Sequence, residues 1–431
     1  MKIVVACEDT GALKVICAQH GTDTSKPVDE SNPLAPVKIS THAEKDNSRK
    51  TRVLHLVQSQ ITKNIIVTRL DGSIQVYDTS KVLNQDQKSS KKKDDEETEE
   101  LLPQLYQYKQ LIEPPTSSNS ETFVNLIVDD IGRVLVPTSK GNVFIWTSEE
   151  KIAQKPHLCK VPLAKDEIIE AFQVHHGAEN IDYVAYGGKE TDLRIVKLPS
   201  LKKKGEEAEV VFKAKNMSNT RLELRVPVHI KNILFAKDSS TNAFKLYTFT
   251  AVGDMRYYDS AAGRKPRSSV LILPKKAPIT KAIWLGNHLV VCDNRGTVVK
   301  VEPSTGSQIC QFKGQIGSIQ ALYNFNGTIL GTSGSDRYVR AYNNETRDCI
   351  VKVFIGTQSN ALAIIEDNES LKRHKANIIG DTALEAIKKK EAWEEKKLQE
   401  QEEEESDEEE LWSKLESSIT PRRKRRKLTL A

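Results

Sequence analysis

The chain has 431 residues, 64 of them Lys or Arg and 59 Asp or Glu, with six cysteines and a formal net charge of +5. A hydrophobic share of 38%, a charged share of 29% and a mean hydropathy of −0.49 are low for a chain packed throughout, and predict a folded body with solvated extensions. No apolar run approaches the roughly eighteen residues that cross a bilayer, and the Ile3-Val4-Val5 run behind Met1 is too short for a signal-peptide core, so a soluble, non-secreted protein is expected.

The opening segment, IVVACEDTGALKVICA from Ile3, joins two apolar strands through a polar turn. The same phrase returns as NIIVTRLDGSIQVYD from Asn64, RVLVPTSKGNVFIWT from Arg133 and DYVAYGGKETDLRIVKL from Asp182. It returns again as KLYTFTAVGDMRYYD from Lys245, LVVCDNRGTVVKVE from Leu289 and ILGTSGSDRYVRAYN from Ile329. Asp71-Gly72, Lys140-Gly141 and Arg295-Gly296 place glycine where a tight hairpin needs positive φ. The second strands alternate with period two, as in Val143 and Ile145 against Phe144 and Trp146, which a sheet with two distinct faces requires.

Further strands precede these hairpins at Phe123–Val128, Ile279–Leu285 and Ser318–Phe325, and others follow at Ser307–Phe312 and Cys349–Phe354. Four strands per unit make a propeller blade, and the last two units recur at about forty residues, the WD-repeat period. The expected fold is therefore an all-β, seven-bladed WD-repeat β-propeller over residues 1–370, a repeat that disfavours an ordinary β-sandwich. Polar insertions at 21–36, 84–103 and 199–209 read as loops at blade edges. Because the chain begins inside a blade, the first blade lacks its innermost strand, and Asn360–Ile365 is expected to supply it beside the strand that begins at Lys2.

Residues 371–431 read as a charged tail, helical or disordered. Thr382 and Glu385 form a capping-box pattern that opens a helix over about 382–399, with Trp393 as a docking anchor. The acidic run 402–410 follows, then Trp412 and Leu415 on a short candidate recognition helix. The terminal block 421–427, with Arg422, Arg423, Lys424, Arg425, Arg426 and Lys427, has the form of a nuclear-import signal read by an import receptor.

Catalytic constellations are absent from the sequence. The nearest nucleophile elbow, Gly331-Thr332-Ser333-Gly334-Ser335, ends in Ser and fails the G-x-S-x-G pattern. No phosphate-binding G-x-x-x-x-G-K-[ST] occurs, and the His175-His176 pair has no carboxylate at useful spacing. Cys7, Cys17, Cys159, Cys292, Cys310 and Cys349 show no C-x-x-C spacing, which points to buried free thiols in a reducing compartment rather than a metal site. No enzyme, metal or cofactor is expected. Basic clusters in presumed loops are the candidate contacts to acidic protein surfaces or RNA phosphates: Lys202, Lys203 and Lys204; Arg264, Lys265 and Arg267; Lys275 and Lys276.

The opening MKIVVACEDTGALKVI, the TRLDGSIQVYD and GTSGSDRYVRAYN blades and the terminal PRRKRRK together resemble the Nop-seven-associated family of fungal ribosome biogenesis proteins. The resemblance departs from the general WD pattern: no unit carries a clean Gly-His near its start, and the Trp-Asp pair is reduced to Trp146-Thr147, Tyr77-Asp78 and Tyr258-Asp259. It implies a monomeric, non-enzymatic scaffold of the nucleus and nucleolus. Such a scaffold would bind pre-60S ribosome assembly factors, with pre-rRNA as a further partner, and would be released by an AAA-type ATPase without any membrane. The alternative on residues alone is a nuclear WD-repeat substrate receptor in a ubiquitin-ligase or chromatin complex.

Overall fold

A computed structural model describes residues 1–26, 38–43, 48–83, 102–114, 120–147, 156–176, 182–199, 208–219, 221–273 and 277–367. The described strands form seven sheets, antiparallel but for one added edge strand on the last, and all except the first and the last are built only from chain neighbours. From the axis outward, blade 1 runs Ser359–Glu366, Lys2–Cys7, Leu13–Cys17 and Lys38–His42. Blade 2 comprises Val53–Gln58, Ile65–Arg69, Ile74–Tyr77 and Gln104–Tyr108; blade 3 comprises Ile127–Val128, Arg133–Pro137, Asn142–Thr147 and His157–Lys160. Blade 4 comprises Ala171–His176, Asp182–Gly188, Thr191–Lys197 and Glu209–Lys213, and blade 5 Ile230–Phe235, Lys245–Thr250, Asp254–Asp259 and Ser268–Leu271. Blade 6 comprises Ile279–Leu285, His288–Asp293, Val298–Val301 and Gln308–Phe312, and blade 7 Ile319–Phe325, Ile329–Gly334, Tyr338–Asn343 and Cys349–Phe354.

Why the middle strands read as unbroken apolar runs is clear from the core, which divides into seven clusters, one at each joint between neighbouring blades. Ile3 and Val5 pack toward blade 7, whereas Val4 and Ala6 on the same strand pack toward blade 2. Both faces of a blade are buried, so alternation sorts side chains between two joints rather than between core and water.

The ring closes as expected. Ile3 pairs with Ile364, Val4 with Ala363 and Val5 with Leu362, so the last described strand is the innermost strand of the first blade. Beyond it His20 Nε2 lies 2.8 Å from the fully buried Asp367 carboxylate and fixes the end of the compact unit Met1–Asp367.

Two expectations about local structure need correction. Phe123–Val128 is not one continuous strand: Phe123 bridges Thr138, Asn125 turns aside to donate to Phe172 O at 2.9 Å, and the ladder resumes only at Ile127–Val128. Bulges interrupt other innermost strands at the same level, between Val53 and His55, Ile230 and Asn232, Ile279 and Lys281, and Ile319 and Ala321. An extra residue there bends the strand and frees a side chain. Thr280 uses that freedom to donate to Ile319 O at 2.9 Å in the next blade, and Asn360 to donate to Val53 O.

The 21–36 insertion, in turn, is not simply a loop. Thr22–Asp23 forms a short parallel strand on the outer edge of blade 7, with Thr22 opposite Val351 and Asp23 opposite Lys352. Gly21 N donates to Ile350 O at 2.7 Å, Thr24 N to Lys352 O at 3.0 Å, and Phe354 N to Thr24 Oγ1 at 2.7 Å. Blade 1 thus straps itself across the closing joint. In the other insertions, Glu209 already belongs to the outer strand of blade 4, and Leu102 is buried in the joint between blades 1 and 2.

In five blades the entering connector is held by a donor from that blade's middle strands: Lys14 Nζ to Ile355 O at 2.5 Å, Arg69 Nη1 to Thr51 O at 2.7 Å, Tyr186 Oη to Pro162 O at 2.5 Å, Arg256 Nη2 to Pro227 O at 3.3 Å and Tyr342 Oη to Lys313 O at 2.8 Å. The hairpin glycines let other connectors come close. At Gly72, with φ of 83°, an added Cβ would meet Ile112 O at 2.1 Å. Gly72→Ala combines a left-handed residue with a backbone clash, and an equilibrium unfolding experiment should show a loss of at least about 2 kcal/mol.

Candidate binding surface at the joint of blades 4 and 5

Of the sequence-derived basic clusters, Arg264, Lys265 and Arg267 fall within the described residues, between the third and outer strands of blade 5, and all three are exposed. Lys202, Lys203, Lys204, Lys275 and Lys276 lie outside them. So does the whole tail, with Trp393, Trp412, Leu415 and the block Arg422 to Lys427.

What the sequence did not reveal is the surface against which the blade 5 loop leans. Arg264 Nε donates to Lys213 O at 2.6 Å, Lys215 N donates to Arg264 O at 2.8 Å, and Lys265 Nζ donates to Ser218 Oγ at 3.1 Å. The loop therefore rests on the end of blade 4's outer strand and on the connector that follows it, bringing the exposed Lys213 and Lys215 beside the predicted trio. Nothing in the local pattern around Lys213 signals this, because the pairing joins residues 51 positions apart.

The same connector runs on to the innermost strand of blade 5 and is held at its far end by blade 4. Glu190 N donates to Val228 O at 2.9 Å, and Lys189 bridges His229. Asn216 Nδ2 closes the excursion by donating to Val226 O at 2.7 Å. Between these ties, Arg221, Leu222, Glu223, Leu224 and Arg225 are all exposed, the two leucines at 79% and 62%. Leucines this open, on a tethered segment flanked by arginines, present an amphipathic strip rather than a core edge.

Beneath the strip lies an ordered ionic layer. Glu170 accepts from His229 Nε2 at 2.9 Å and from Lys231 Nζ at 2.5 Å, while Arg194 Nη1 donates to Glu167 Oε2 at 2.7 Å. Burial alone would raise both carboxyls, but the hydrogen bonds from Lys231 and His229 to Glu170, and from Arg194 to Glu167, hold each below the usual carboxylate range. These acids are committed to structure, which leaves the overlying Lys213, Lys215, Arg264, Lys265 and Arg267 to give the surface its sign.

No group of three or more metal-ligating side chains occurs among the described residues. All six cysteines are free and lie in strands. Cys7, Cys159 and Cys292 are buried as expected, but Cys349 is exposed because the outer strand of blade 7 faces solvent. Burial of its sulfur nevertheless pushes the thiol up to about 11, ahead of the lowering effect of Arg340 and Lys352, so it is a poor nucleophile at neutral pH.

No protein-family model matches the chain. The ribosome biogenesis protein NSA1 of Meyerozyma guilliermondii is 29% identical over 405 residues, covering 86% of this chain and 92% of that protein. The ribosome biogenesis protein nsa1 of Schizosaccharomyces pombe is 26% identical over 392 residues, covering 86% and 90%, and NSA1 of Saccharomyces cerevisiae is 23% identical over 427 residues, covering 86% and 89%. The chain is thus similar to NSA1 proteins of several fungi over most of its length, at 23–29% identity. Among solved structures, the WD40 β-propeller domain of Doa1 aligns with a TM-score of 0.48 at 13% identity, over 72% of this chain and 84% of that one.

Proposed function

We propose that this chain is a non-enzymatic scaffold of ribosome biogenesis that binds assembly factors of the pre-60S particle in the nucleolus. What supports the reading is likeness to the NSA1 ribosome biogenesis proteins over 86% of this chain and 89–92% of theirs, far more than one generic blade. A rigid ring with exposed basic and apolar segments suits docking on protein or RNA surfaces. In this reading the blade 4 and 5 joint makes contact through Lys213, Lys215, Arg264, Lys265 and Arg267, with Lys202 to Lys204 and Lys275 with Lys276 as auxiliary charges. The tail supplies the import signal at Arg422 to Lys427 and, through Trp393, Trp412 and Leu415, a grip for a releasing AAA-type ATPase.

Affinity purification followed by gradient sedimentation tests the whole reading: the tagged protein should travel with pre-60S particles, and a nuclear but free protein would overturn it. Within that experiment the double variant Lys265→Glu, Arg267→Glu is the cleaner probe, because it spares the Arg264 tie to Lys213. Exposed charges alter stability by only about 0.5 kcal/mol each, so the variant should fold normally while its share on particles falls about tenfold and its salt dependence becomes shallower. For the tail, deleting 381–431 and adding an unrelated import signal should restore entry but leave the protein on later particles; full recovery of turnover would reduce the tail to an address.

A further inference from the structure

Outside that joint, the strap across the closing seam encloses a second feature. A pocket of about 200 Å³ opens at the outer edge of blade 7, walled by Asp23 of the strap, Lys313 and Gly314 of the connector entering the blade, and Arg340, Tyr342 and Lys352 of its outer strands. Arg340 and Lys352 are direct cross-strand partners, so two cations project side by side from one face. Both also lie over the Tyr338 ring, at 5.0 and 5.3 Å from its centre. Like charges placed directly opposite destabilise a sheet unless an anion sits between or beside them.

The protein supplies only part of that anion. Asp336 accepts from Arg340 Nη1 at 2.6 Å, whereas Lys352 Nζ donates to the neutral Ser25 Oγ at 2.7 Å and stands 3.7 Å from Asp23, whose carboxylate is turned to the Ser25 N–H and O–H at 3.0 and 2.6 Å. The side chain of Arg340 is only 4% exposed, and its buried Nε has no hydrogen-bond partner. Lys313 is exposed and makes no ion pair among the described residues.

We propose that this pocket is an oxyanion subsite that takes one phosphate monoester group. Its volume lies below the roughly 300 Å³ at which pockets begin to bury whole small molecules, so it suits a terminal group. The geometry favours phosphate over carboxylate. Arg340, Lys352 and Lys313, from three separate elements, line one small pocket, and their combined positive charge suits a tetrahedral anion carrying nearly two charges better than a singly charged carboxylate. The proposal is independent of the ribosomal reading, since it concerns blade 7 rather than the joint of blades 4 and 5 and needs no particle.

Full-length protein is titrated with inorganic phosphate at constant ionic strength, with binding read by calorimetry and by mass-resolved alkylation of Cys349, which lines the same pocket. Saturable binding with slowed Cys349 modification is expected, weakened at least tenfold in Lys313→Gln combined with Lys352→Gln; both residues lie near the surface, and far-UV circular dichroism checks that the fold is kept. O-phosphoserine and adenosine monophosphate form two further arms, and tighter binding of either supports the subsite and names the source of its phosphate. Absence of saturable binding by all three, or equal binding by the double variant, overturns the proposal.

Discussion

A chain cut after Phe354 is expected to yield no folded monomer. The cut removes Ser359–Glu366, whose Leu362, Ala363 and Ile364 are buried and whose Ile3, Val4 and Val5 partners would become an open edge in the middle of the ring. Burial of Leu362, Ile364 and Ile365 alone accounts for about 5–9 kcal/mol at roughly 1.5–3 kcal/mol per side chain, comparable to the whole stability of an ordinary domain. The exposed edge also invites aggregation. Thermal denaturation followed by circular dichroism, alongside size-exclusion chromatography, reads both effects, with deletion of 381–431 as the control that should retain a cooperative transition. A monomer with an unchanged transition after the Phe354 cut would remove the closing strand from the account.

The second large effect is expected at Arg69. This guanidinium is fully buried and has no carboxylate partner among the described residues. It donates instead to Gln75 Oε1 at 2.6 Å, Gly11 O at 2.8 Å and Thr51 O at 2.7 Å, with Tyr77 Oη at 3.4 Å, and so ties the hairpin of blade 1 to blade 2 and to the connector between them. Arg69→Ala leaves two backbone carbonyls and an amide oxygen buried without donors and opens a cavity, so a loss of about 3–5 kcal/mol is expected in urea or thermal unfolding. Arg69→Lys keeps the charge but cannot reach three acceptors at once, and should recover less than half of that loss. Equal stability of Arg69→Ala and the parent would mean that these acceptors find water instead.

How much of this was legible in the sequence follows from what each feature depends on. The hairpins could be read because period-two alternation and turn glycines such as Gly72 are local signals, and the closing strand because an unpaired first blade demands a partner. The inner-strand bulges were hidden: an extra residue at Thr280 or Gln320 leaves an apolar run looking unbroken. The donors to the connectors were hidden for a different reason. Lysine, arginine and tyrosine do the same work in different blades, so no shared phrase marks the position. At the candidate surface the Arg264 to Arg267 cluster was visible as composition, whereas Lys213, Lys215 and the exposed Leu222 and Leu224 acquire meaning only once two blades are set side by side.

The pairing of Ile3 with Ile364 also sets a timetable. During synthesis the strand Lys2–Cys7 leaves the ribosome well before its inner neighbour Ser359–Glu366. At translation rates of about 5–20 residues per second, that apolar strand waits on the order of twenty to seventy seconds with one edge open. Blades 2 to 6, each made of consecutive strands, can form in passing, while blades 1 and 7 cannot be joined until the end. The newborn ring is therefore an open arc with one sticky edge on blade 1 until Ser359–Glu366 emerges, and a cellular factor that shields Lys2–Cys7 would act during that wait.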